Sequence, residues 1–110
     1  MGKGSILGEF EQVVLLAVAR LEGEGYGVTI RQEIEKQAGR DVTVGAVYAT
    51  LTRLEEKGFA SSWEGEPEAR RGGRARRHFR IEPAGVRALR AARGMMDRMW
   101  SGVDFGERPA

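Results

Sequence analysis

Six arginines fall within the eleven residues RRGGRARRHFR, 70–80, and no acid lies among them. A guanidinium is a planar fork of donors that matches phosphate oxygens and base edges, so this stretch is suited to gripping a polyanion. The same stretch contains His78, the single histidine, and the sequence has no cysteine. One imidazole with no second histidine and no thiol assembles neither a metal site nor a nucleophile–base pair. Glu55 and Glu56 are neighbours that diverge around a helix, which makes a poor acid/base dyad. No loop of the phosphate-cradling P-loop kind occurs. The chemistry on offer is recognition of negative charge. No enzyme, metal or cofactor is expected.

The 110 residues carry a formal net charge of only +2. Residues 1–58 hold seven Lys/Arg against nine Asp/Glu, a balance of −2, so the positive charge is concentrated further on. Such asymmetry points to an anionic partner. Arginines outnumber lysines fifteen to three. A GC-rich genome inflates arginine everywhere but does not clear acids from one stretch. Gly72-Gly73 permits a tight turn. Arg70, Arg71, Arg74 and Arg76 would then lie at a hairpin tip and its shoulders, placed to follow a DNA backbone or enter a minor groove. Four such contacts per subunit in a dimer imply a salt slope of roughly −7. A solvated charge run, or an arginine patch for RNA, is the alternative. Glu64, Glu66 and Glu68 form an acidic shoulder that can pair with these arginines.

The elements that must position this hairpin follow from periodicity. In Glu9–Glu22, Phe10, Val13, Val14, Ala17, Val18 and Leu21 form one helical stripe. Leu15 and Leu16 lie off it, which suggests a helix buried on two sides. Gly23-Glu24-Gly25 ends it. A second helix is predicted over 27–38, with Tyr26, Ile30 and Ile34 on one face and Gly39 as its stop. Thr43 is a good N-cap for a third helix, 44–57, whose buried stripe is Val47, Leu51 and Leu54. Phe59–Trp63 and Arg77–Ile81 read as two antiparallel strands. Pro83 suits the first turn of a last helix. Leu89, Ala92, Met96, Met99 and Val103 give that helix the 3-4-3-4 spacing of a seam that packs on another helix.

Helix, helix, helix, strand, wing, strand, helix is the order of a winged helix-turn-helix. The expected fold is mainly α with a small β-hairpin, a winged helix-turn-helix plus a C-terminal dimerisation helix. The expected division is 1–82 for the DNA-binding domain, 83–103 for the dimerisation helix and 104–110 for a flexible tail. A helix that enters a major groove needs a slim N-terminal end. Thr43, Val44, Gly45 and Ala46 provide one, and Tyr48, Ala49 and Thr52 continue the exposed side. Close packing of Gly45 and Ala46 against the second helix, and a half-buried Tyr48, are the competing explanations.

The sequence resembles the PadR-like transcriptional regulators, in the short form with a single C-terminal helix. The resembling segments are LGEFEQVVLLAVARL (7–21), GYGVTIRQEIE (25–35), VTVGAVYATLTRLEEKGF (42–59), RRGGRARRHFRIEPAG (70–85) and MWSG (99–102). The resemblance implies that Tyr48 lies at the DNA surface, and that the last helix packs on the first helix of a second subunit. A homodimer on double-stranded DNA follows, most simply a repressor on a palindromic operator, with Leu15, Leu16, Leu89, Ala92, Met96, Met99 and Val103 at the interface. The resemblance also implies an aromatic at Trp100 facing its symmetry mate, where a small planar effector can stack beside Met96. A plain dimer anchor is the other role for Trp100. Glu82 stands where the family often has Thr or Ser as helix cap, and its carboxylate can meet the helix N-terminus instead. RNA binding or a protein-interaction role for the winged helix is the alternative function. The longest apolar run, Val13–Ala19, is far below the ~20 residues of a membrane span. No membrane contact and a cytoplasmic location are expected.

Overall fold

A computed structural model describes residues 6–65 and 76–106. Arg70, Arg71, Arg74, Glu66, Glu68 and the Gly72-Gly73 turn lie outside the described residues. The element order is α1 (Glu9–Arg20), α2 (Gly27–Ala38), α3 (Val44–Glu56), β1 (Ala60–Glu64), β2 (Arg77–Ile81) and α4 (Pro83–Trp100).

Helices α1, α2 and α3 enclose the core with β2 as a fourth wall. Val14, Val18, Ile30, Val47, Leu51 and Leu54 are all fully buried there. The expected stripes on α1 and α3 are therefore the ones that pack. Leu15 is a correction: it is fully buried within its own chain. Helix α1 is contacted by α2, α3 and β2 at once, which leaves Leu15 no open side for a second subunit. Leu16, its neighbour, remains about half exposed.

Local signals set the boundaries. Helix α1 stops at Arg20 rather than Glu22, because Leu21, Glu22 and Gly23 turn the chain, with Glu22 and Gly23 both at positive φ. Gly39 caps α2 in the left-handed conformation. Thr43 Oγ1 accepts from the Ala46 N–H at 3.0 Å, as its N-cap position predicts. At the other end of α3 the Phe59 N–H reaches Leu54 O and the Gly58 N–H reaches Glu55 O, both at 2.9 Å. This is a Schellman closure around Gly58 at φ +77°. It occupies the Phe59 amide, so β1 begins at Ala60.

Strands β1 and β2 pair antiparallel from Ala60↔Ile81 to Glu64↔Arg77. A further bridge, Phe79 N–H to Gly25 O at 2.9 Å, stitches β2 to the turn before α2. The root of the hairpin is thus fixed to the helical body.

Pro83 opens α4 as expected, but Glu82 does not cap it. The Glu82 carboxylate accepts instead from Ser61 Oγ across the hairpin. Gly85 is buried at the root of α4, where a Cβ would overlap the Phe59 carbonyl oxygen. Ala84, Ala88 and Leu89 pack on the core. Beyond them the helix leaves the body, and Met99 and Trp100 are about two-thirds exposed. The helix ends at Trp100, so Val103 lies past it, in a turn where the Val103 N–H bonds Trp100 O at 3.1 Å. Phe105 folds back edge-on to Trp100 with ring centroids 6.1 Å apart. The first part of the expected tail therefore packs on the helix end. No helix of the described residues is long and apolar enough to cross a membrane.

Candidate nucleic-acid interface

Helix α3 is divided lengthwise. Val47, Thr50, Leu51 and Leu54 are buried, whereas Thr43, Gly45, Tyr48, Ala49 and Thr52 are exposed and Val44 is half-buried. Five of the six positions expected at a nucleic acid thus share one solvent-facing side, and Val44 sits at its border with the buried stripe. A Cβ on Gly45 would meet nothing nearer than Thr43 Oγ1 at 3.9 Å, so close packing does not account for this glycine. Its smallness keeps the N-terminal end of α3 narrow, with backbone amides near the surface.

Tyr48 is neither buried nor free. Its ring is 6.2 Å from that of Phe79 in an edge arrangement, and it lies across the Cα of Gly27 so closely that a Cβ there would overlap it. One side of the ring is seated and the residue remains 39% exposed. Thr52 Oγ1 donates to Tyr48 O at 3.0 Å, which engages its hydroxyl proton within the helix.

The angle of α3 is set from behind. Lys57 Nζ donates to both oxygens of Glu11 at 2.9 and 3.0 Å, and to Ile6 O at 3.0 Å. The Gly8 N–H donates to Glu11 Oε1 at 2.8 Å. Arg53 donates to Thr50 Oγ1 and holds its Nε 3.7 Å from Glu11. Burial alone raises the pKa of the Glu11 carboxyl. The Gly8 and Lys57 hydrogen bonds and the Lys57 and Arg53 charges outweigh it and hold the group below the ordinary carboxylate value.

At the hairpin root the arginines divide by role. Arg77 bonds Ser62 Oγ at 2.9 Å and Glu55 Oε1 at 3.1 Å, tying the hairpin to the end of α3. Arg80 lies over the Trp63 ring at 5.3 Å and near Glu82 at 3.6 Å. Both serve the hairpin itself. Arg76 stands at the mouth of the wing with its guanidinium 4.5 Å above the Tyr26 ring. His78 lies between Tyr26 (5.7 Å, edge-on) and Trp63 (5.8 Å, stacked), and its Nδ1 is 3.2 Å from Arg76 O. The histidine is therefore part of the packing at the wing root.

Tyr26 and Gly27 were not marked as site residues by periodicity. Their neighbours at the site, Arg76 and Tyr48, are far away in sequence. The Gly-Tyr-Gly triplet at 25–27 was the available signal.

A second feature lies away from α3. Leu16, Ala19, Val86, Leu89 and Met96 line an open groove of about 490 Å³ between α1 and α4. Met96, Met99, Trp100, Val103 and Phe105 line a smaller hollow of about 240 Å³ at the helix tip. Ala92 lies on the same helix between the two groups and is half-buried.

The model of the "Transcriptional regulator PadR-like family" matches residues 15–91. No curated protein matches the chain. Similar solved structures include a PadR-like transcription factor from Bacteroides fragilis, with TM-score 0.70, 23% identity and 82% of each chain covered. A PadR family regulator from Eggerthella lenta gives 0.69 and 22%, covering 84% of this chain and 76% of that one. RosR of H. salinarum gives 0.65 and 21%, covering 89% and 81%. At these identities the likeness speaks to the fold. The family is one of transcriptional regulators, not of enzymes, and with its model matched over most of the sequence, this chain belongs to the PadR-like family of transcriptional regulators.

Proposed function

We propose that the protein is a homodimeric repressor that binds a palindromic duplex in the cytoplasm and is released by a small planar effector. The observation that carries the DNA reading is the lengthwise division of α3. Thr43, Gly45, Tyr48, Ala49 and Thr52 lie on its solvent side, opposite a fully buried stripe, with Val44 half-buried at the border between them. Residues 1–82 act as the DNA-binding unit in this reading, 83–103 as the dimerisation helix and 104–110 as a tail. Arg70, Arg71, Arg74 and Arg76 supply backbone contacts from the wing. Leu16, Leu89, Ala92, Met96, Met99 and Val103 pair with a second copy. Two reading helices about one turn of duplex apart require a two-fold operator.

Trp100 and Met96 support the effector reading, since a methionine-lined aromatic hollow adapts to flat ligands. The test is selection of duplexes from a randomised pool, followed by gel shifts with RNA as competitor. Enrichment of a two-fold sequence that RNA does not displace is expected. Equal competition by RNA would turn the reading to an RNA-binding winged helix. No shift of any nucleic acid at low salt would turn it to a protein-interaction module.

A further inference from the structure

Gly27 is the first residue of α2 and is buried. Its φ is not among the positive values that only glycine adopts readily. An alanine there would be accepted by the backbone and would favour the helix. The glycine therefore answers a need for space. A Cβ on it would overlap Cε2 of Tyr48 and stand 2.6 Å from Cζ and 2.8 Å from the hydroxyl oxygen. These contacts run along the outer half of the ring. A second support is the ring of Phe79, a fully buried residue whose backbone N–H is fixed to Gly25 O at 2.9 Å. The wall at Phe79 and the floor at Gly27 thus belong to one stitched unit of β2 and the turn before α2. Tyr48 crosses onto it from α3.

We propose that Gly27 is a positioning residue for DNA binding: its missing Cβ lets the outer edge of the Tyr48 ring rest against α2 and fixes the direction in which the hydroxyl leaves the exposed face of α3. The proposal rests on the DNA-binding reading above. An added methyl leaves the core stripe of α3 untouched and lifts the ring outward, into the space a duplex occupies. Position 27 thereby acts on binding only through Tyr48.

The experiment is a double-mutant cycle of Gly27→Ala and Tyr48→Ala on a duplex selected with the wild-type protein, with thermal midpoints measured alongside. Gly27→Ala is expected to weaken binding by about tenfold or more, the scale of losing one specific contact. In the Tyr48→Ala background the same change is expected to do nothing, because the space is then empty. In the free wild-type protein, NMR cross-relaxation between the Gly27 Hα protons and the Tyr48 ring is expected. Wild-type affinity in Gly27→Ala, losses that multiply in the double variant, or absence of the cross-relaxation would each overturn the proposal. So would a Gly27→Ala chain that unfolds while the double variant folds, since the seat would then be a packing element only. Failure of the wild-type protein to enrich any duplex sinks the DNA reading itself, and is seen before a variant is made.

Discussion

Lys57, the residue that closes α3, holds both carboxylate oxygens of Glu11 on α1 through one ammonium group, at 2.9 and 3.0 Å. The pair is largely buried, with side-chain exposures of 19% and 10%. It sets where α3 ends relative to α1, and so where the exposed face of α3 points. Glu11→Gln should lower the unfolding free energy by about 2 kcal/mol at pH 7, because a partly buried ammonium loses its counter-charge. The sign with pH follows from a folded carboxyl held below its ordinary value of 4.5. The stabilisation is full above that value and fades as pH falls through the lower, folded one. Urea unfolding should show the wild-type advantage over Glu11→Gln narrowing steadily below pH 4.5.

Gly45 faces open space, so stability and recognition separate at this position. Gly45→Ala should leave stability unchanged or raise it by up to ~1 kcal/mol. Gly45→Trp should keep its melting temperature yet lose DNA affinity by about tenfold or more, by blocking the groove. Equal affinity for the two variants would mean that this end of α3 does not approach DNA.

Arginines 70, 71 and 74 should act through charge alone. Replacing all three with alanine in a dimer removes six phosphate contacts, and the salt slope should fall from roughly −7 to roughly −2. The loss should be nearly the same on selected and scrambled duplexes, as titrations at several salt concentrations will read.

Met99→Asp with Trp100→Asp places four carboxylates at the centre of the proposed dimer. Light scattering should report a monomer at micromolar concentration, against a dimer for the wild type. Leu15→Ala should behave differently and destabilise the single chain by about 2–5 kcal/mol, since its side chain is spent in the protomer's own core.

Much of this architecture could be read from sequence because the signals were local. Val47, Leu51 and Leu54 repeat on one helical face, and the core lies on that face whatever packs there. Thr43 and Gly58 act on backbone groups within five residues of themselves. What escaped was decided at a distance. Leu15 looked available because α2, α3 and β2, the elements that close over α1, all lie later in the chain. Glu82 looked like a cap because Ser61, its actual partner, is 21 residues away. Val103 continued the heptad spacing, but Gly102 at φ +77° lies just beyond the helix end and breaks it. The seat of Tyr48 on Gly27 joins two helices and leaves no periodic trace.

Gly85 brings the first turn of α4 against the Phe59 carbonyl, directly after the closure of α3. Gly85→Ala should cost about 1–3 kcal/mol by forcing the two apart, as thermal melts will measure.

That tight joint makes α4 a lever rather than a tether. Eighteen residues of helix extend ~27 Å, so a pivot of about 10° at Gly85 carries the far tip roughly 5 Å. Run in reverse, a shift imposed at the tip is handed back, with little slack, to the end of α3. Two copies joined at those tips would behave like calipers, with a jaw spacing adjusted from the hinge side and set by how Trp100 and Phe105 meet edge to face.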